Sequence, residues 1–120
     1  MSDFTGSNHS FKARITFLGP AENGRKYPAV QGYRPDFFYA DDRRHGWVIW
    51  PRFLDEHGNQ LPDGATVPLE CDAFMYVLDD TLRRTVHQQR LKVGATFLVS
   101  EGVHVVANGV VLEITGLFDS

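Results

Sequence analysis

Short runs of alternating apolar and polar residues, each cut off by glycine, proline or asparagine, limit this chain to a fold built from short strands. In Phe11-Lys12-Ala13-Arg14-Ile15-Thr16-Phe17-Leu18, the side chains of Phe11, Ala13, Ile15 and Phe17 share one face. A repeat of two is strand geometry, because successive side chains point to opposite sides of a pleated backbone. Gly19-Pro20 and Asn23-Gly24 then punctuate a loop. Asp36 to Ala40 reads as a short aromatic strand, Asp41 to Gly46 as a charged turn, and Trp47-Val48-Ile49-Trp50 as a strand stopped by Pro51. Asp55 to Gly64, with its glycines, proline and acidic residues, reads as a surface loop. Thr66 to Asp72 alternates with Val67, Leu69 and Cys71 inward, and Pro68 facing outward marks an edge strand or a bulge.

Beyond Ala73 to Leu78, which continues apolar, the period changes. Leu78, Leu82 and Val86 recur every four residues, with Arg83, Arg84, His87 and Gln88 on the other faces. That spacing predicts a helix of about three turns from Asp79 to Gln89, capped by Asp79 or Asp80. Strand patterning returns at Thr96 to Val99 and at Val103 to Val106. Asn108-Gly109 is a turn or bulge signal, and Val110 to Ile114 ends the pattern. Many short strands with turns between them predict an all-β sandwich or barrel. A barrel also removes the exposed edges that so small a sheet would leave.

At 120 residues and 42% hydrophobic content, the chain makes one core and one domain, spanning residues 11–117. Met1 to Ser10, polar and lacking an apolar segment, reads as a flexible N-terminal tail and not as a signal peptide. No apolar run approaches the roughly 20 residues of a membrane span, so a cytoplasmic protein away from membranes is expected. The formal charge of -3 argues against generic polyanion binding but permits a local basic patch. Cys71, the sole cysteine, can form neither an intrachain disulfide nor a cysteine zinc cluster, and its inward position marks a small core residue.

No catalytic or cofactor motif is present. Phosphate loop, nucleophile elbow and paired histidines at metal spacing are all missing. The expectation is therefore a protein with no catalytic residues, no cofactor and no metal. His9, His45, His57, His87 and His104 are scattered, and each is expected at the surface. Arg83, Arg84, Arg90 and Lys92 gather four of the 12 basic residues. Their plain reading is a solvated helix face, and their sharper one a patch for an anion, an acidic protein or an RNA backbone.

The stretch Gly24-Arg25-Lys26-Tyr27-Pro28-Ala29-Val30-Gln31-Gly32-Tyr33-Arg34-Pro35-Asp36-Phe37 resembles the opening of the C-terminal β-barrel of elongation factor Tu. That family carries Gly-Arg-x-x-Pro followed by Gly-Tyr-Arg-Pro-x-Phe at the same separation. Phe97, Val99, Glu101-Gly102 and Gly109-Val110-Val111 look like its last hairpin, and Gly46 to Pro51 with Leu61 to Gly64 fit its middle strand and turn. The resemblance implies a six-stranded antiparallel closed barrel of the translation-factor type, and the short helix read from the period near 79–89 is then an insertion in it. It implies a non-catalytic module that contacts tRNA and partner proteins, without GTPase activity. Arg25, Lys26, Tyr33, Arg34 and His104 are the matching candidates for contact, alongside Arg83, Arg84, Arg90 and Lys92 from the inserted segment. Arg25 and Arg34 suit phosphate or carboxylate through their forked guanidinium groups, although Arg34 equally suits bracing its own loop. Tyr33 can bury its ring while its hydroxyl stays wet, and Gly32 permits a φ that a side chain would block.

Departures from the family pattern bear on the partner. Ser100 stands where the family has a basic residue before Glu-Gly. Val103 replaces the second glycine and His104 the basic residue after it. Lys26 and Tyr27 replace a histidine and a threonine. Each lost phosphate contact lowers RNA affinity and its salt dependence. The expected function is a stand-alone binding module whose partner is a translation-related protein ahead of tRNA. Two alternatives are a structural or self-associating barrel and a small enzyme with Asp79, Asp80, His87 and His104 at the barrel mouth. Trp47 and Trp50, three apart on a strand, point to opposite faces, which makes one of them a candidate surface anchor.

Overall fold

In the computed structural model, which describes residues 9–119, the alternation of Phe11–Phe17 becomes strand β1, with every second side chain buried. The other strands are β2 (Asp36–Tyr39), β3 (Asp42–Trp47), β4 (Ile49–Phe53), β5 (Glu70–Val77), β6 (Thr96–Glu101) and β7 (His104–Ile114). All neighbours pair antiparallel in one sheet of order β3-β2-β6-β7-β1-β5-β4. The sheet curls into a half-barrel around Phe11, Ile15, Phe37, Phe53, Met75 and Phe97, all buried. Phe37 stacks on Phe97 at 4.6 Å, and Phe11 meets Phe97 edge-on at 6.2 Å. Burial of each such ring contributes roughly 1.5–3 kcal/mol.

The all-β class is as expected, but the closed six-stranded barrel is not what forms: seven strands make a half-barrel. Three local features explain the difference. The expected charged turn at Asp41 to Gly46 is largely strand β3, paired with β2. The expected single strand Trp47 to Trp50 breaks at Val48, so Trp47 belongs to β3 and Ile49 opens β4. Strand β5 begins at Glu70, later than expected, and ends at Val77, opposite Ile49. The chain then leaves the sheet, and no strand among the described residues pairs with the outer edge of β3. The two edge strands are thus joined covalently at Val48 without a hydrogen-bonded seam.

The edge of β4 is covered differently. Gln31, buried, receives the Phe53 N–H at its Oε1 (2.9 Å) and donates from Nε2 to the Phe53 and Leu61 carbonyls. The Gln31 amide shares that edge with backbone from 60–61, where the Leu61 N–H reaches the Phe53 carbonyl at 3.0 Å and Leu54 bridges Gln60. Leu69, expected inward, is exposed: residues 66–69 lie before β5, held by the Val30–Thr66 bridge, by buried Val67 and by the Phe17 N–H on the Leu69 carbonyl at 2.7 Å. Asn108-Gly109 is neither turn nor bulge but the middle of β7. Gly109 is required there: an added Cβ would lie 2.1 Å from the Phe97 ring.

The predicted helix forms as one helical segment, 80–90, with a wide turn at Arg83–His87 where the Gln88 N–H reaches the Arg83 carbonyl. Asp79 caps it, accepting from the Leu82 N–H at 2.9 Å. No helix among the described residues is long and apolar enough to cross a membrane. Residues 1–8 of the expected tail lie outside the described residues. His9 and Ser10, its last two residues, are packed: His9 stacks on Phe74 at 4.0 Å, and buried Ser10 donates its N–H to Met75.

Candidate binding site

Antiparallel pairing of β2 with β6 sets Asp36 opposite Ser100 and so brings the residues before β2 alongside Glu101. Three separated stretches meet there. Arg25 donates from Nε to Glu101 Oε2 at 2.7 Å and from Nη1 to the Tyr27 carbonyl at 3.0 Å. Its guanidinium carbon sits 4.8 Å from the centre of the Tyr33 ring. The Tyr33 hydroxyl donates to the same Glu101 oxygen. Burial of the half-covered ring, then the bond to Glu101, pushes the Tyr33 phenol above its ordinary pKa. His104 donates from Nε2 to the Asn23 carbonyl at 2.6 Å, since a carbonyl can only accept. Gly32, at φ 104, takes the left-handed backbone that the loop needs before Tyr33.

Arg25, Tyr33 and His104 thus gather at one end of the half-barrel, with Glu101 as the shared acceptor of the first two. Lys26 and Arg34 point elsewhere. Lys26 is exposed, its ammonium 5.9 Å from the Tyr27 ring. The Arg34 guanidinium lies 4.4 Å over Trp50. Trp47 packs on the core while Trp50 lies under Arg34, but they sit on separate strands, β3 and β4, and not on the single strand expected. Ser100, where the family has a base, is buried, and its hydroxyl lies 2.7 Å from the Gly102 carbonyl and 2.9 Å from that of His104.

The basic residues of 83–92 do not form a bare patch. The Arg83 side chain is 11% exposed; it donates to Asp80 Oδ1 at 2.6 Å and to the Leu117 carbonyl at 2.7 Å. Arg84 pairs with the other oxygen of Asp80. Arg90 pairs with Asp41 at 2.8 Å and lies 4.0 Å over the Tyr39 ring. Lys92 is exposed and makes no ion pair among the described residues. Arginine partners hold the Asp80 carboxyl below its usual range, and His45 does the same for Asp42.

His87, expected at the surface, is the largest departure. It is 1% exposed, its Nδ1 2.6 Å from the Tyr39 hydroxyl and its ring 5.0 Å from Trp47, edge to face. Burial, then the nearby Arg90 charge, pushes its pKa down to about 4. The four residues of the enzyme alternative are each engaged separately: Asp79 with Leu82, Asp80 with Arg83 and Arg84, His87 with Tyr39, and His104 with Asn23. Among the described residues, no three His, Cys, Asp or Glu are grouped to hold a metal ion. Two residues outside the sequence candidates prove central, Glu101 and Gln31. Both lie inside the motif stretches, and the polar character of Gln31 between apolar Val30 and Gly32 was the only local signal. No protein-family model matches this chain.

Proposed function

We propose that this chain is a non-catalytic binding module, akin to the C-terminal β-barrel of elongation factor Tu, that takes a translation-related protein in preference to tRNA. A cytoplasmic location and the absence of GTPase activity belong to the same reading. One observation carries the preference. Four of the candidate arginines, Arg25, Arg83, Arg84 and Arg90, already face carboxylates. An RNA phosphate would have to displace Glu101, Asp80 or Asp41 to reach them, which removes much of the gain from counterion release. Paired charges of this kind fit the polar rim of a protein interface instead.

The test uses the purified chain with aminoacyl-tRNA in a filter assay at two salt concentrations, beside a pull-down on purified translation factors. The reading expects a factor to be retained and tRNA not to be. Tight, salt-sensitive tRNA retention would restore RNA as the partner, and retention of neither would remove the module. Self-association is the second reading. Tyr27 and Leu69, both exposed, flank a small cleft floored by Phe17, Ala29 and Val67 that a second copy would fill. Light scattering separates that case, since the first reading expects a monomer.

A further inference from the structure

The outer edge of β3 faces a wedge-shaped opening, because β5 stops at Val77 and the chain turns into the helical segment. The wedge is a groove of about 530 Å³ between Trp47 and Val48 on one side and Val77, Leu78, Leu82 and His87 on the other. Val48 is 53% exposed and Leu78 37%, so apolar surface lines its mouth. The Trp47 indole N–H is buried and has no hydrogen-bond acceptor among the described residues. β3 meets β2 in register only at Asp42 and Trp47, with a shift between them, so the stretch that can take an added strand, backbone to backbone, is the one at Trp47 beside the groove.

Charge narrows the occupant. Arg43 and Arg44 on β3 are exposed, and neither makes an ion pair among the described residues. Asp42 is already shared between His45 and Arg90. Asp79, the carboxylate lining the groove, is committed to the Leu82 N–H. Resting on the protein-binding reading above, we propose that β3 is the docking edge for an extended acidic segment of the partner. Its backbone would pair with β3, one apolar side chain would enter the groove, and the carboxylates of its other face would meet one of Arg43 and Arg44, whose side chains leave opposite faces of the strand.

A synthetic peptide of about ten residues alternating Glu and Val, and its Lys-Val counterpart, test this against the full chain by amide NMR. With the Glu peptide, amides of 42–48 and the Trp47 indole should shift and gain exchange protection. The Lys peptide should bind about tenfold more weakly, and Arg43→Glu with Arg44→Glu should reverse that order. A thermal melt of the double variant checks that its fold is unchanged. Equal binding of both peptides, shifts confined elsewhere, or no shift at millimolar peptide would overturn the assignment. So would pairing of β3 with a second copy, seen as a dimer without peptide, or stronger protection of the same amides by a single-stranded RNA. If the double variant still retains the translation factor, the module stands and only the docking edge falls.

Discussion

Around Arg25 the polar groups meet at the surface, whereas around His87, at the other end of β2, they meet out of water. Arg25 and Glu101 keep 28% and 40% of their side chains exposed, so their pairing works in high dielectric. His87 and Tyr39 are both buried, under Trp47 and the Arg90 guanidinium. The first cluster fixes where a loop lies. The second plugs the half-barrel where β5 leaves the sheet, so we expect it to tolerate loss less well. The contrast teaches that the conspicuous motif lies in a surface cluster, while the desolvated polar groups belong to residues that no motif announces.

Three measurements would break or sharpen this contrast. The largest effect belongs to His87→Ala, which removes a buried ring and strands the Tyr39 hydroxyl. We expect a loss of about 4 kcal/mol in chemical denaturation. A loss no greater than that of an exposed residue would erase the distinction between the two ends.

Acid should reveal the same residue. The folded imidazole has its pKa near 4 against an ordinary 6.5, so the unfolded chain takes up a proton that the folded chain refuses. Stability is therefore full above the ordinary value and falls as pH drops toward the folded value, by about 3 kcal/mol in all. His9, also lowered by burial, adds in the same direction. Denaturation curves across that window should flatten in His87→Leu; an unchanged acid loss would place the sensitivity elsewhere.

The smallest effect belongs to the surface cluster. A double-mutant cycle of Arg25→Ala and Glu101→Gln should return a coupling below about 1 kcal/mol, and less at high salt. A larger, salt-insensitive coupling would mean that this end is as desolvated as the other.

Strands β1 and β6 and the helical segment were legible because their period or cap is local. Asp79 followed by Leu82 and Val86 predicts a capped helix without any knowledge of neighbours. The conformation of Gly32 was legible for the same reason. β3 was not, because Asp42-Arg43-Arg44-His45 carries turn-like composition, and its pairing with β2 is what makes it a strand. His87 was misread because its helical neighbours are Arg84, Gln88 and Arg90, and only Tyr39 and Trp47, distant in sequence, cover it. Glu101 was visible as part of a motif, yet its role as the acceptor joining Arg25 and Tyr33 depends on the β2–β6 register.

The sequence by itself determined the class of fold, the position of the helix and its cap, and the face that β1 buries, since these follow from contacts within a few residues. The tertiary structure alone decided that the sheet stays open at β3, that Arg25, Arg83, Arg84 and Arg90 are paired with carboxylates and that a histidine is sealed inside. Those outcomes depend on which distant strand or carboxylate arrives opposite, and no local period encodes that.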